Sequence, residues 1–179
     1  VAHPTYLTGV SGNGNLPTNS QGYGMPNMQD AFDSTPRALV DQTQIFSATG
    51  DTWTWNGAVA DPGKPVRIVM TYSDAAGAIG TSPQVNNLDL QATVGASSYL
   101  GNVFTGQWSS TGGVADSKNN YEAVSLPAGT TGPITIKQKF EQGEDMFRQR
   151  RSLFFKKMQI VRGCDTKRNV LVYMVYSDK

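Results

Sequence analysis

Apolar residues recur at every second position through the middle of this chain. The clearest run sets Leu88, Leu90, Ala92 and Val94 against Asp89, Gln91 and Thr93, which predicts a strand with one buried and one wet face. Similar short runs, rich in β-branched and aromatic residues, cover Thr52–Trp55, Val66–Tyr72, Ser98–Phe104, Tyr121–Leu126 and Pro133–Ile136. Clusters of Gly, Pro, Asp and Asn separate them, as turns require. Residues 9–24 carry Gly9, Gly12, Asn13, Gly14 and Asn15 and read as an irregular loop. Pro26 then opens a short helix through Met28, Ala31 and Phe32, limited by Pro36. Near the end, Ser152–Val161 and Asn169–Tyr176 read as two strands joined by a turn over Cys164–Arg168, although Met146–Arg151 also suits a helix.

Evenly spaced strands with turn punctuation predict a mainly β fold, an antiparallel β-sandwich or jelly roll. One short N-terminal helix precedes it and a C-terminal β-hairpin extends it. At 179 residues the chain suits one domain plus an extension. No run approaches the ~18 apolar residues of a membrane-spanning helix.

Charge divides the chain near residue 137. Up to Ile136 only Arg37, Lys64, Arg67 and Lys118 face nine acidic residues, whereas from Lys137 onward eleven basic residues face five acids. The net charge of +1 therefore hides about −5 joined to +6, and 17 of the 19 glycines lie on the acidic side. The pattern sets a basic tail at 139–179 apart from the acidic remainder. Arg148, Arg150, Arg151, Lys156, Lys157, Arg162, Lys167 and Arg168 are compatible with phosphate contacts. Their alternation with Leu153, Phe155, Met158 and Ile160 equally suits the solvated face of a hairpin, and no nucleic acid is expected as partner.

Catalytic chemistry is hard to assemble from these residues. The single histidine, His3, sits near the start of the chain, and no Gly-x-Ser-x-Gly elbow is present. No glycine loop opens a helix in the manner of a phosphate cradle. The single cysteine, Cys164, excludes an internal disulfide and thiolate metal clusters, leaving a small packed residue or a reactive thiol. The start, Val1-Ala2-His3-Pro4, shows no basic n-region or apolar h-region, so a processed product or a piece of a longer chain is expected. Oxygen donors near the strand ends offer one metal reading, with calcium as the candidate cofactor and Asp74, Asn87, Asp89 and Asp116 as its candidate ligands. Asn119, Asn120 and Glu122 lie in the same loop-facing group as Asp116. The alternative is that such residues form turns and cap backbone groups.

Residues 6–136 resemble the C-terminal region of secreted subtilisin-like serine proteases that carry a β-jelly-roll domain after the catalytic domain. The segments Tyr6–Gly9, Gln21–Phe32, Val69–Gly77, Val85–Leu90, Tyr99–Phe104 and Asp116–Val124 carry the likeness. Asn87 stands where that family has aspartate, and Tyr72 where it has tryptophan. The resemblance implies that 1–42 ends a catalytic domain and that 43–138 is the accessory domain of a secreted endopeptidase. No position matches the family's catalytic Asp, His or Ser, so this chain alone would be inactive. Its partner would be the missing catalytic domain, which it would stabilise or help to position substrate.

Residues 143–179 are similar instead to the C-terminal end of CreA-type periplasmic proteins. Gly143–Arg148, Ser152–Lys156, Val161-Arg162 and Lys167–Lys179 carry this second likeness, which implies a CreA-like fusion. Both resemblances imply an extracellular or periplasmic location in a bacterium. A different class of function is a stand-alone binding module for peptide or carbohydrate, using Trp53, Trp55, Tyr99 and Trp108 as an open aromatic face.

Overall fold

The computed structural model describes residues 5–9, 14–32, 37–40, 45–46, 48–72, 74, 79, 85–143, 153–157 and 175–176. Among these described residues one helical turn, α1 (Met28–Phe32), precedes ten strands. These are β1 (Ile45–Phe46), β2 (Thr52–Ala58), β3 (Val66–Thr71), β4 (Asn86–Val94), β5 (Ser97–Thr105), β6 (Trp108–Thr111), β7 (Tyr121–Leu126), β8 (Pro133–Gly143), β9 (Leu153–Lys157) and β10 (Val175–Tyr176). All pairings are antiparallel. One sheet has the order β2-β8-β4-β5-β6; β3 pairs with β7, and β1-β9-β10 forms a third group. The structure is thus mainly β and sandwich-like, as the alternation predicts.

The core follows from which face each strand turns inward. Leu88, Leu90 and Ala92 of β4, with Ile134, Ile136 and Phe140 of β8, are sealed from solvent against Val66, Ile68 and Met70 of β3 and Val124 and Leu126 of β7. The outward residues of β4, Asn87 to Thr93, are only half-buried. β3 differs, because Val66-Arg67-Ile68-Val69-Met70 is nearly continuous in apolar character and buries both faces. Its second face is covered by Leu16, Phe104 and Ala123, with Tyr6, Tyr23 and Tyr121 beside them. The glycine-rich N-terminal segment is therefore part of the packing.

Two tight hairpins set the register on the β5 side. Val94 pairs with Ser97, and Thr105 with Trp108, each across a two-residue turn that begins with a glycine at positive φ, Gly95 (59°) or Gly106 (61°). β8 is the longest strand and runs through the position where the charge balance changes. Its pairing with β2 and β4 continues across residues 137–139, so the expected 138/139 boundary falls inside one strand. The tail hairpin is described at β9 and β10, where Tyr176 pairs with Phe155. His3, Cys164 and the basic residues Arg148, Arg150, Arg151, Arg162, Lys167 and Arg168 lie outside the described residues.

Gln138 breaks the apolar pattern of β8. It is fully buried opposite Leu90, and neither end of its amide has a hydrogen-bond partner among the described residues. An orphaned buried amide costs about 1–3 kcal/mol, while an apolar residue of the same shape avoids that cost. Gln138→Met should therefore raise stability in urea denaturation by about 1 kcal/mol. Ile136→Ala, two positions away on the same face, should lower it by about 2–5 kcal/mol.

Candidate functional site

The densest polar chemistry of the described residues lies where β5 separates from β4. Pairing between them runs from Val94↔Ser97 to Gln91↔Leu100 and then stops. Gly101 and Asn102 follow, and Asn102 adopts a left-handed backbone with φ of 60°. A Gly-Asn pair suits such a break, since both residues tolerate this region better than branched ones do. The register of β5 against β6 also shifts between Tyr99 and Phe104, and the strand bends toward β7.

Asn102 supplies by its side chain what a paired strand would supply by its backbone. Its Oδ1 accepts from the Ala123 N–H (3.0 Å), while its Nδ2 donates to the Tyr121 carbonyl (2.7 Å) and to Asp116 Oδ2 (2.6 Å). Ser109 Oγ does the same further along, accepting from the Ser125 N–H at 2.9 Å. β7 is thereby joined to β5 and β6 without a regular ladder.

The departure of β5 leaves the Leu90 N–H without a strand partner, and Glu122 takes it. The carboxylate reaches across from β7 and accepts that N–H at 2.8 Å. Gly101 makes the passage possible, because a Cβ there would stand 2.1 Å from Glu122 Oε2. Glu122 is 1% exposed, and its other oxygen has no partner among the described residues. Burial is the main cause that pushes its pKa well above the usual glutamate range. The Leu90 N–H opposes the shift, and the charges of Asp89 and Asp116 add to it.

The four candidate calcium ligands fall in three places. Asp74 fastens the start of β4, accepting from the N–H groups of Val85 (2.6 Å) and Asn86 (3.0 Å) and from Asn86 Nδ2 (2.7 Å). Asp116 holds its own loop through the N–H groups of Lys118 and Asn119 and through Asn119 Nδ2. Burial alone would raise the Asp116 pKa, but the donors from Asn102, Asn119 and the loop backbone outweigh it and hold it low. Asn87 and Asp89 do come together, on the outer face of β4, where Asn87 Nδ2 donates to Asp89 Oδ1 at 3.1 Å.

Glu141 joins that last pair through a register shift that lets β8 gain a residue opposite Asn87 and Leu88, and Lys139 binds Glu141 in turn. Burial and the Glu141 charge push the Asp89 pKa up to about 6. Among the described residues, no group of three or more His, Cys, Asp or Glu gathers where it could hold a metal ion. Glu122, placed by its sequence neighbours with the loop residues, is instead inside the sandwich. The signal for it was a lone carboxylate in the otherwise compact run Glu122-Ala123-Val124-Ser125-Leu126.

The expected aromatic face is also corrected. Trp53, Trp55 and Tyr99 pack against the main core, and the Trp55 indole lies over Gly57, where a Cβ would meet it at 1.9 Å. These rings are packing residues at the margin of the sandwich. Trp108 is half-buried at the start of β6.

A family profile described as CreA protein matches residues 80–179, more than half of the chain. Protein CreA of Escherichia coli strain K12 is 48% identical over 52 residues, covering 27% of this chain and 33% of that protein. The CreA proteins of strains O6:H1 and O157:H7 match to the same extent. The chain thus covers about a third of the length of these curated relatives.

These matches correct the expected protease parentage. The CreA match takes in β4 to β8, most of the segment read as a protease accessory domain, and nothing found supports a subtilisin-like fragment. The missing catalytic domain is withdrawn as partner, and the serine-protease, subtilase and hydrolase readings go with it. The physical reason lies in what the quoted segments do. Asp74 with Val85-Asn86, and Asp116 with Asn119, are strand-end fastenings that any antiparallel sandwich can use.

The ionisable groups at this seam give the fold a defined pH response. Asp89 and Glu122 ionise near 3.8 and 4.5 when unperturbed and later in the folded chain. Above those values the unfolded chain therefore binds fewer protons than the fold, and stability falls as pH rises, through about 6 for Asp89 and through the raised folded value for Glu122. Asp116 has the opposite sign, its contribution being lost as pH falls below 3.8 through its lower folded value. Thermal melts across pH should show greatest stability in mildly acidic buffer. Glu122→Gln, which keeps an acceptor for Leu90, should flatten the fall above the usual glutamate range, and an unchanged slope would remove Glu122 as its source.

Proposed function

This chain belongs to the CreA protein family, and on that premise we propose that it works in the bacterial periplasm as a binding module whose working surface is its β-sandwich. The observation that carries this reading is the extent of the family match. It joins the sandwich strands β4 to β8 and the basic C-terminal stretch into one segment, residues 80–179.

Chemistry of the described residues supports a binding role. The carboxylates that the fold concentrates are spent on N–H groups and side-chain amides, as at Asp74, Asp116 and Glu122. A surface of strands and fastened loops is suited to recognition by shape and backbone pairing. An envelope location is supported by the likeness of residues 143–179 to CreA-type periplasmic proteins, the family matched over residues 80–179. No helix of the described residues is long and apolar enough to cross a membrane.

The test is fractionation of cells producing the complete gene product. Cold osmotic shock should release the protein together with a periplasmic marker, and spheroplasting should expose it to added protease. Retention with a cytoplasmic marker would overturn the location, and with it this reading.

A further inference from the structure

Strands β3 and β7 bury a charge together with their second apolar face. Arg67 of β3 stands opposite Ser125 of β7, and Val69 opposite Ala123, on the side turned away from the main core. Arg67 is 3% exposed. Its Nη1 donates to Ser125 Oγ at 3.2 Å and its Nη2 to the Tyr121 hydroxyl at 2.9 Å. Its Nε–H is buried without an acceptor among the described residues. A guanidinium keeps its charge in a folded protein, and a buried charge is costly unless it is paired.

No carboxylate of the described residues forms that pair. The two acids in the neighbourhood are committed elsewhere. Asp116 accepts from Asn102, from Asn119 and from the backbone of its own loop. Glu122 alternates to the opposite face of β7 and accepts from Leu90 inside the main core.

The polar groups around Arg67 are donors that lack acceptors. Ser125 and Tyr121 each use a hydroxyl oxygen to accept from Arg67, which leaves the hydroxyl hydrogen to donate. Tyr23 adds a third hydroxyl. Its ring meets the Tyr121 ring edge-on at a centroid distance of 4.5 Å, and its oxygen is buried without a partner among the described residues. Burial is the main cause that raises the Tyr23 pKa; Tyr121, Asp116 and Glu122 add to the shift and Arg67 opposes it. That hydroxyl therefore keeps its proton. One cation and three hydroxyls gather with no negative group among them, which is the donor set of an anion site. A water molecule would bring two hydrogens of its own and leave the charge uncompensated.

Size and access restrict the class of anion. Leu16, Val69, Phe104 and Ala123 are buried in the same layer, and this close packing favours an ion of one atom over a bulky organic acid. Tyr23 belongs to the N-terminal segment, which is tied to the β5–β6 turn by the Leu16 N–H on the Gly106 carbonyl and the Gly106 N–H on Asn15 Oδ1. The Tyr23 ring is half-buried, so it borders solvent as well as Arg67, and turning it aside opens the way in.

We propose that Arg67, Tyr23, Tyr121 and Ser125 form a binding site for a small monovalent anion of the halide class, with chloride as its ion. The site is independent of the reading of the chain as a binding module. Bound chloride neutralises Arg67 and fastens the N-terminal segment to the β3–β7 layer through Tyr23.

The experiment titrates the full chain with sodium chloride against sodium gluconate at constant ionic strength, read by thermal melts and by the NMR signal of the Arg67 Nε–H. A saturable rise in Tm of about 2–4 °C is expected, with bromide acting likewise and the Nε–H signal moving along the same curve. Arg67→Met removes the charge and keeps the length of the side chain, so it should abolish the rise, and it identifies the signal. Tyr23→Phe keeps the ring and should raise the half-saturating chloride concentration about three- to tenfold; it decides the matter if Arg67→Met fails to fold. A rise linear in chloride, a rise equal in Arg67→Met or unchanged in Tyr23→Phe, or an Nε–H signal that stays in place would overturn the proposal. None of these outcomes alters the fractionation result.

Discussion

The Leu90 N–H would be left bare by the departure of β5, and the rest of this sandwich is arranged around that vacancy. A buried backbone donor must find an acceptor, since leaving one unpaired costs as much as losing a hydrogen bond. Glu122 supplies the acceptor from the facing layer, and Gly101 keeps the path clear. Asn102 then bridges β5 to β7 with both ends of its amide. Three residues of different types thus solve one backbone problem, and they do so only together. A side chain at position 101 would push Glu122 away, and without Asn102 the edge of β7 would lose the acceptor for Ala123.

Placing a carboxylic acid there has an electrostatic consequence. Glu122 is shielded from water, so its charged form is disfavoured, and the neighbouring Asp89 and Asp116 disfavour it further. Asp116 escapes the same fate through four donors aimed at it, and Asp89 lies between the two extremes. The three acids respond differently because Asp116 receives four donors, whereas Asp89 and Glu122 receive one each and Glu122 is the most deeply buried. Hydrogen bonding to the charged form competes directly with desolvation, and at this seam the donors are spent first on Asp116.

Much of the architecture was legible from alternation. Leu88 to Val94 fixed one strand and its inward face, and Val66 to Tyr72 indicated a strand without showing that both its faces would be covered. The site was far less legible, for a physical reason. Asp74, Asn87, Asp89 and Asp116 are the residue types of a calcium loop, but the same types fasten turns. Composition cannot say whether their oxygens meet a metal or an N–H group. The resemblance to a protease accessory domain rested on the same turn chemistry, so it shared that ambiguity. Glu122 and Asn102 act through a contact between layers, and no local pattern encodes which distant N–H a side chain will meet. The strand read over Ser98–Phe104 passes through Gly101-Asn102, and the break in pairing there was not read from the sequence.

The change in charge at residue 137 carried a similar lesson about boundaries. A composition shift suggested that two units meet there, yet β8 passes through it with seven residues paired to β2 and continuing pairs to β4. A strand in the middle of a sheet cannot end at a compositional border without orphaning donors on both neighbours. Its inward residues Ile136 and Phe140 obey the core, and its outward residues are free to change from Thr135 to Lys137 and Lys139. The basic character that begins there is therefore displayed on a surface whose frame belongs to the acidic part. That places lysines on the strand next to β2, the last strand on that side of the sheet among the described residues.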